Sequence, residues 1–175
     1  VRFFAEQGHR RIGLATVPER SYQYIRARNE GYREGMKEIG IIPDPGWIIE
    51  DGECHETIDR FLRMDASKRP TAIFAISDSI AIRVQFRAAL AGVRIPEDLA
   101  MIGFGANAFM GRLSPVPLAS FEELFFDRGR LAVDILLEKP HEPVKEEDHF
   151  YLVEPRLVLL RSAGDSLTIM KTAVQ

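Results

Sequence analysis

An arginine occupies a place where an apolar stripe should continue. Ile25, Arg28, Tyr32, Met36 and Ile39 recur at spacings of three or four, which puts them on one face of a helix. An arginine inside that stripe faces the core or a cleft. A buried guanidinium needs an acceptor, because an unpaired buried charge is costly. Its planar fork suits a carboxylate, a phosphate or adjacent sugar hydroxyls. Periodicity alone equally allows an arginine whose stem lies on the core while its head reaches water.

A second group of polar residues interrupts the run from 69 to 104. There an apolar strand meets Ser77-Asp78-Ser79, a long helix follows, and a second apolar strand closes the unit. This is a β-α-β pattern with hydrogen-bonding side chains at the strand-to-helix handover. In open α/β sheets ligands bind at the carboxyl ends of strands, against helix N-termini. The plain role of Ser77 or Asp78 is to cap the helix, worth roughly 0.5–2 kcal/mol. A ligand contact from Ser77 would be additional.

Other chemistries find no support in the sequence. Gly103-Phe104-Gly105 lacks the third glycine of a dinucleotide fingerprint, and no helix follows directly. His9, His55, His141 and His149 show no metal-ligand spacing. There is no G-x-S-x-G elbow and no P-loop. Glu122 and Glu123 are adjacent at an expected helix start, where side chains diverge and negative charge is favourable. Cys54 has only His55 beside it and no evident activating base. The expected role is binding rather than catalysis, with no cofactor and no metal.

The elements that position these residues alternate. Strands are predicted at 12–16, 47–50, 71–76 and 99–104, and helices at 24–39, 56–64 and 80–91. The order argues a doubly wound α/β fold, a parallel sheet with helices on both faces. A glycine- and proline-containing loop spans 103–117, a final helix 122–137, and a polar linker 139–148. Residues 150–160 read as a strand pair or one strand broken at Pro155, and 164–175 as a tail.

Composition agrees with one such domain. The chain has 175 residues, 46% hydrophobic and 28% charged. A net charge of -3 makes this piece a poor nucleic-acid binder by itself. A single cysteine excludes an internal disulfide and fits a reducing cytosol. No apolar run approaches the roughly 20 residues that span a bilayer. Residues 1–8 read as the last turns of a helix ending at Gly8, so an earlier start to the natural chain is expected.

The ordered motifs also carry a resemblance. The run RPTAIF, Ser77-Asp78, the helix and AGVRIPEDLAMIGF resembles the effector-binding domain of the lac/gal repressor family of bacterial transcription regulators. So do Gly8-His9-Arg10-Arg11-Ile12, Arg26-Ala27-Arg28-Asn29-Glu30-Gly31-Tyr32, Leu118-Ala119-Ser120 and Arg161-Ser162. The resemblance implies a two-lobed, periplasmic-binding-protein-like fold. Residues 1–117 would form the main, second lobe. Residues 118–148 would hold a crossover, a helix of the first lobe and a linker. Residues 149–163 would return to the second lobe, and 164–175 would be the tail.

It further implies a small sugar or sugar acid bound between lobes, a cytoplasmic homodimer, and DNA contact only through a helix-turn-helix domain lying before Val1. A transport-type sugar-binding protein shares the fold and is the alternative. The ligand set carried over is Arg28, Ser77, Asp78, Glu53, Phe104 and Gly105. At three of these positions the chain departs from the family. Ser77 stands where the family usually has Asn, Gly105 where it commonly has Asp, and Glu53 where it often has an aromatic. Loss of the acidic acceptor at 105 favours an anionic ligand, and a gluconate-responsive subset resembles Gly103-Phe104-Gly105. Glu53, if it faces the cleft, argues the other way.

Overall fold

A computed structural model describes residues 1–18, 22–50, 55–105, 114–141, 145–147 and 150–164. Strand β1 (Ile12–Thr16) is buried along its whole length. Helix α1 (Arg2–Glu6) precedes it and helix α2 (Gln23–Glu38) follows. Then come β2 (Ile48–Glu50), α3 (Glu56–Leu62), β3 (Ala72–Ala75), α4 (Asp78–Leu90) and β4 (Ala100–Phe104). Each strand sits within a residue or two of its sequence expectation, because apolar runs bounded by polar turns leave little choice.

The strands form one six-stranded sheet in the order β2-β1-β3-β4-β5-β8, where β5 is Ala119–Glu122 and β8 is Arg156–Val158. The first five run parallel. The expectation of an all-parallel sheet therefore needs one refinement: β8 pairs antiparallel with β5 and forms an edge. An edge strand escapes the crossover constraint that makes consecutive strands parallel. A separate hairpin pairs β6 (Lys145–Glu147) with β7 (Phe150–Leu152). The break at Pro155 thus separates strands of two different sheets.

Right-handed crossovers put α2 on one face and α3 with α4 on the other. Side chains agree. Asp59 of α3 pairs with Arg87 of α4, while Gly35 of α2 lies against Val1, where a Cβ would come within 2.8 Å. The α2 stripe buries Ile25, Tyr32 and Met36. The Tyr32 hydroxyl donates to the Ile12 carbonyl oxygen at 2.9 Å, and burial raises its pKa, holding it as a neutral donor. Full burial of such side chains contributes roughly 1.5–3 kcal/mol each.

Beyond β4 the structure differs from the sequence expectation. The segment at 119–122 is a fifth parallel strand, and the final helix, α5 (Phe125–Leu136), starts at Phe125 rather than at 122. Leu124 takes a left-handed conformation, φ 50° and ψ 45°, between the strand and the helix. A branched side chain there is strained, and periodicity cannot show it. No residue of α5 is buried. Ser162, near the end of the described residues, is fully buried. Its hydroxyl accepts from the Ala119 N–H and donates to the Met101 carbonyl, both at 2.8 Å, tying β5 to β4.

Candidate functional site

Strand order 2-1-3-4-5 reverses direction between β1 and β3, and such a switch point opens a crevice at the carboxyl ends of the strands. The groups at that edge come from four elements. Thr16 ends β1, Ile76 and Ser77 follow β3, Phe104 ends β4, and Glu122 ends β5. The first turns of α2 lean over them.

Arg28 is the centre of this edge. One guanidinium nitrogen, Nη1, donates to the Ile76 carbonyl oxygen at 2.9 Å. Its other terminal nitrogen, Nη2, donates to Glu123 Oε1 at 2.6 Å. The guanidinium carbon lies 3.7 Å from the centre of the Phe104 ring, and Tyr24 lies 5.0 Å from it. Phe104 in turn stacks on Phe121, with ring centres 5.8 Å apart. The side chain is 17% exposed and that of Glu123 22%. The stripe position therefore leads to a cleft edge, where the charge has an acceptor, a carboxylate and an aromatic face. A cation over an aromatic ring adds about 0.5–2 kcal/mol, more as water is excluded.

Ser77 and Asp78 divide the two roles that their position allows. Ser77 is the cap: its hydroxyl accepts from the Ile80 N–H at 3.5 Å and lies 3.0 Å from the Ser79 hydroxyl. Asp78 is buried, and the Ser120 hydroxyl donates to its Oδ1 at 2.6 Å. Gly103 lies directly under that carboxyl, so any Cβ there would collide with Asp78 Oδ1. Gly105 has φ +122°, and a Cβ on it would sit 3.9 Å from Asp78 Oδ2. In this backbone an aspartate at 105 would be strained and would crowd one carboxylate against another. The Gly105 N–H donates to the Phe121 carbonyl at 2.8 Å, continuing the β4–β5 ladder.

Arg28, Ser77, Asp78, Phe104 and Gly105 are thus on one edge, while Glu53 lies outside the described residues. Sequence reasoning missed four participants. Asn29 is buried and its Oδ1 accepts from the Thr16 hydroxyl at 2.9 Å, linking α2 to the end of β1. Phe121 supports Phe104. Ser120 holds Asp78. Glu123 pairs with Arg28, not with a helix N-terminus, and Glu122 pairs with Arg156 of β8. A buried asparagine in a polar helix was the one signal available. The other three depend on contacts 17 to 95 residues apart.

Among the described residues, no cluster of three or more His, Cys, Asp or Glu could hold a metal ion. No described helix is long and apolar enough to cross a membrane.

The family model for a periplasmic binding protein-like domain matches residues 1–162. The HTH-type transcriptional repressor PurR of Photobacterium profundum is 33% identical over 170 residues, 94% of this chain and 49% of that protein. The ribose operon repressor of Haemophilus influenzae is 32% identical, covering 90% of this chain and 47% of its own. The chain spans about half the length of the curated relatives it matches. The crystal structure of a LacI-family regulatory protein from Chloroflexus aggregans superposes with a TM-score of 0.73 at 30% identity, over 93% of this chain and 58% of that one. A LacI-family regulator from Lactobacillus casei with bound sucrose gives a TM-score of 0.72 at 19% identity, over 93% and 60%, a likeness of fold.

Proposed function

This chain belongs to the periplasmic binding protein-like domain family, in its lac/gal repressor branch, and from that membership we propose that it is part of the effector-sensing domain of a bacterial transcription regulator. The effector is a small sugar or sugar acid taken between two lobes. Residues 1–117 form the main lobe. Residues 118–148 carry the crossover and a helix of the other lobe, 149–163 the return, and 164–175 the tail. The regulator is a cytoplasmic homodimer that meets DNA through a helix-turn-helix domain elsewhere in the full-length protein. It binds its ligand and does not turn it over; the relatives are repressors rather than enzymes or transport proteins.

One observation carries the reading. Arg28 stands at the switch point with its fork directed along the cleft edge, braced by Ile76 and Phe104. Ser77, Asp78, Phe104 and Gly105 share that edge, and Glu53 is assigned to the same site. A ligand engaging this edge and the opposite lobe together binds the closed conformer better than the open one. That difference in affinity is the whole of the switching free energy.

The test is Arg28→Ala in the full-length protein, titrated calorimetrically against a panel of sugars and sugar acids. Loss of a charged ligand contact costs about 2–5 kcal/mol, so affinity should fall at least thirtyfold with the far-ultraviolet spectrum unchanged. Unchanged affinity for the panel member that binds the unaltered protein would remove Arg28 from the site.

A further inference from the structure

We propose that Glu123 determines the charge selectivity of this site: as the built-in counter-ion of Arg28, it makes the site accept uncharged polyhydroxyl ligands and disfavour carboxylate-bearing ones. This rests on the reading of Arg28 as an effector contact, and it narrows the sugar-or-sugar-acid class to its neutral half.

The geometry supplies the reason. The 2.6 Å contact between Arg28 Nη2 and Glu123 Oε1 joins two side chains that are both mostly buried. Screening by water is weak at such a place, so the two charges largely cancel each other rather than the solvent doing so. Residues 120–122 belong to β5 and are fixed in register by pairing to β4 and β8, and Glu123 follows directly, which keeps it within reach. A second carboxyl, Asp78, is buried at the same edge. Among the described residues of the site, then, one guanidinium is paired with one carboxylate, and a second carboxyl lies at the same edge.

An incoming carboxylate would have to displace Glu123 from Arg28, and would then leave Glu123 mostly buried without its cation. That exchange gains one ion pair and loses another. A neutral sugar avoids it. Each hydroxyl both donates and accepts, so a pair of neighbouring hydroxyls can accept from the Arg28 N–H groups and donate to the second oxygen of Glu123. The Arg28–Glu123 pair presents both halves of that pattern on one edge, whereas a lone arginine presents donors only. Phe104 closes one face of the guanidinium, so ligands approach along the fork, where Glu123 is already seated. The absence of an acid at Gly105 does not make the site cationic, because the acid it lacks there is supplied from 123.

The experiment uses the full-length protein, unaltered and as Glu123→Gln, which keeps the shape and removes the charge. Calorimetry measures matched pairs: glucose with gluconate, galactose with galactonate, ribose with ribonate. For the pair containing the tightest binder, the aldose should bind the unaltered protein at least tenfold better than its acid. In Glu123→Gln that ratio should shrink at least fivefold, chiefly by a gain for the acid. A tighter acid in the unaltered protein, or an unchanged ratio in the variant, overturns the proposal. If the variant does not fold, the ratio in the unaltered protein decides alone. Binding that is lost in Arg28→Ala but keeps its ratio in Glu123→Gln defeats the selectivity and leaves the effector site standing. Failure of every pair to bind the unaltered protein defeats both.

Discussion

Helices α2 and α5 carry apolar stripes of similar strength, yet they have opposite fates. In α2, Ile25, Tyr32 and Met36 are buried under β1. In α5, Phe126 is 81% exposed and Leu136 82% exposed, and no residue of the helix is buried. A stripe records that a face requires cover; it does not record which sheet supplies it. Residues 12–104 bring their own cover, because each helix lies between two strands of the same sheet. Helix α5 follows β5 through a left-handed Leu124, and the sheet buries none of its residues.

This contrast can be measured. Phe61 of α3 is almost wholly buried in the core of the supported half, so Phe61→Ala should cost about 3–5 kcal/mol in urea unfolding of this chain. The same truncation at Phe126 should cost less than about 0.5 kcal/mol, since an exposed ring has little to lose. Equal losses at the two positions would mean that α5 is packed in solution and that the contrast is false. Gly103→Ala probes the boundary between the halves. The added methyl must push the Asp78 carboxyl off Ser120, and overpacking of this kind costs about 1–3 kcal/mol. An unchanged urea midpoint would show that Asp78 can move freely.

Ser77→Ala removes a cap whose bond is long at 3.5 Å, so the low end of the range, about 0.5 kcal/mol, is expected. A loss above about 2 kcal/mol would give Ser77 a structural role beyond the cap. The smallest effect belongs to His9, whose ring nitrogen lies 2.9 Å from the Thr71 hydroxyl. Desolvation lowers its pKa below the ordinary 6.5. Because the folded state favours the neutral ring, stability is full above about pH 6.5 and falls as pH drops toward the folded value. His9→Gln should flatten that part of a stability-against-pH curve. A variant that keeps the full slope would assign it to other groups.

Much of the fold is legible in the amino-acid sequence. Ile12, Leu14, Ala72, Ile73, Ala100 and Met101 sit in short apolar runs that only buried parallel strands explain. The four residues of β5 were not legible, because Phe121-Glu122 has no apolar run and its partner strand is defined only by the fold. In the site, Arg28 announced itself as a charge inside a stripe. Its counter-ion did not. Glu123 lies 95 residues away, and a pair of adjacent glutamates near a helix has a sufficient local explanation that happens to be the wrong one. Local chemistry identified the residue needing a partner, while topology chose the partner.

The buried hydroxyl of Ser162 sets an order of events during protein synthesis. It bridges Met101 and Ala119, and 61 residues separate it from the first of these. A ribosome adding about 5–20 residues per second takes roughly 3–12 s over that interval. Until then β4 and β5 have their backbone ladder but not the buried side-chain bridge that Ser162 adds. The strand that leads into Glu123 therefore gains its last support late. Nascent chains halted at residue 160 should be cleaved by protease within 114–124, while those extended through Gly164 and clear of the exit tunnel resist, so this edge of the sheet matures only when its final turn has emerged.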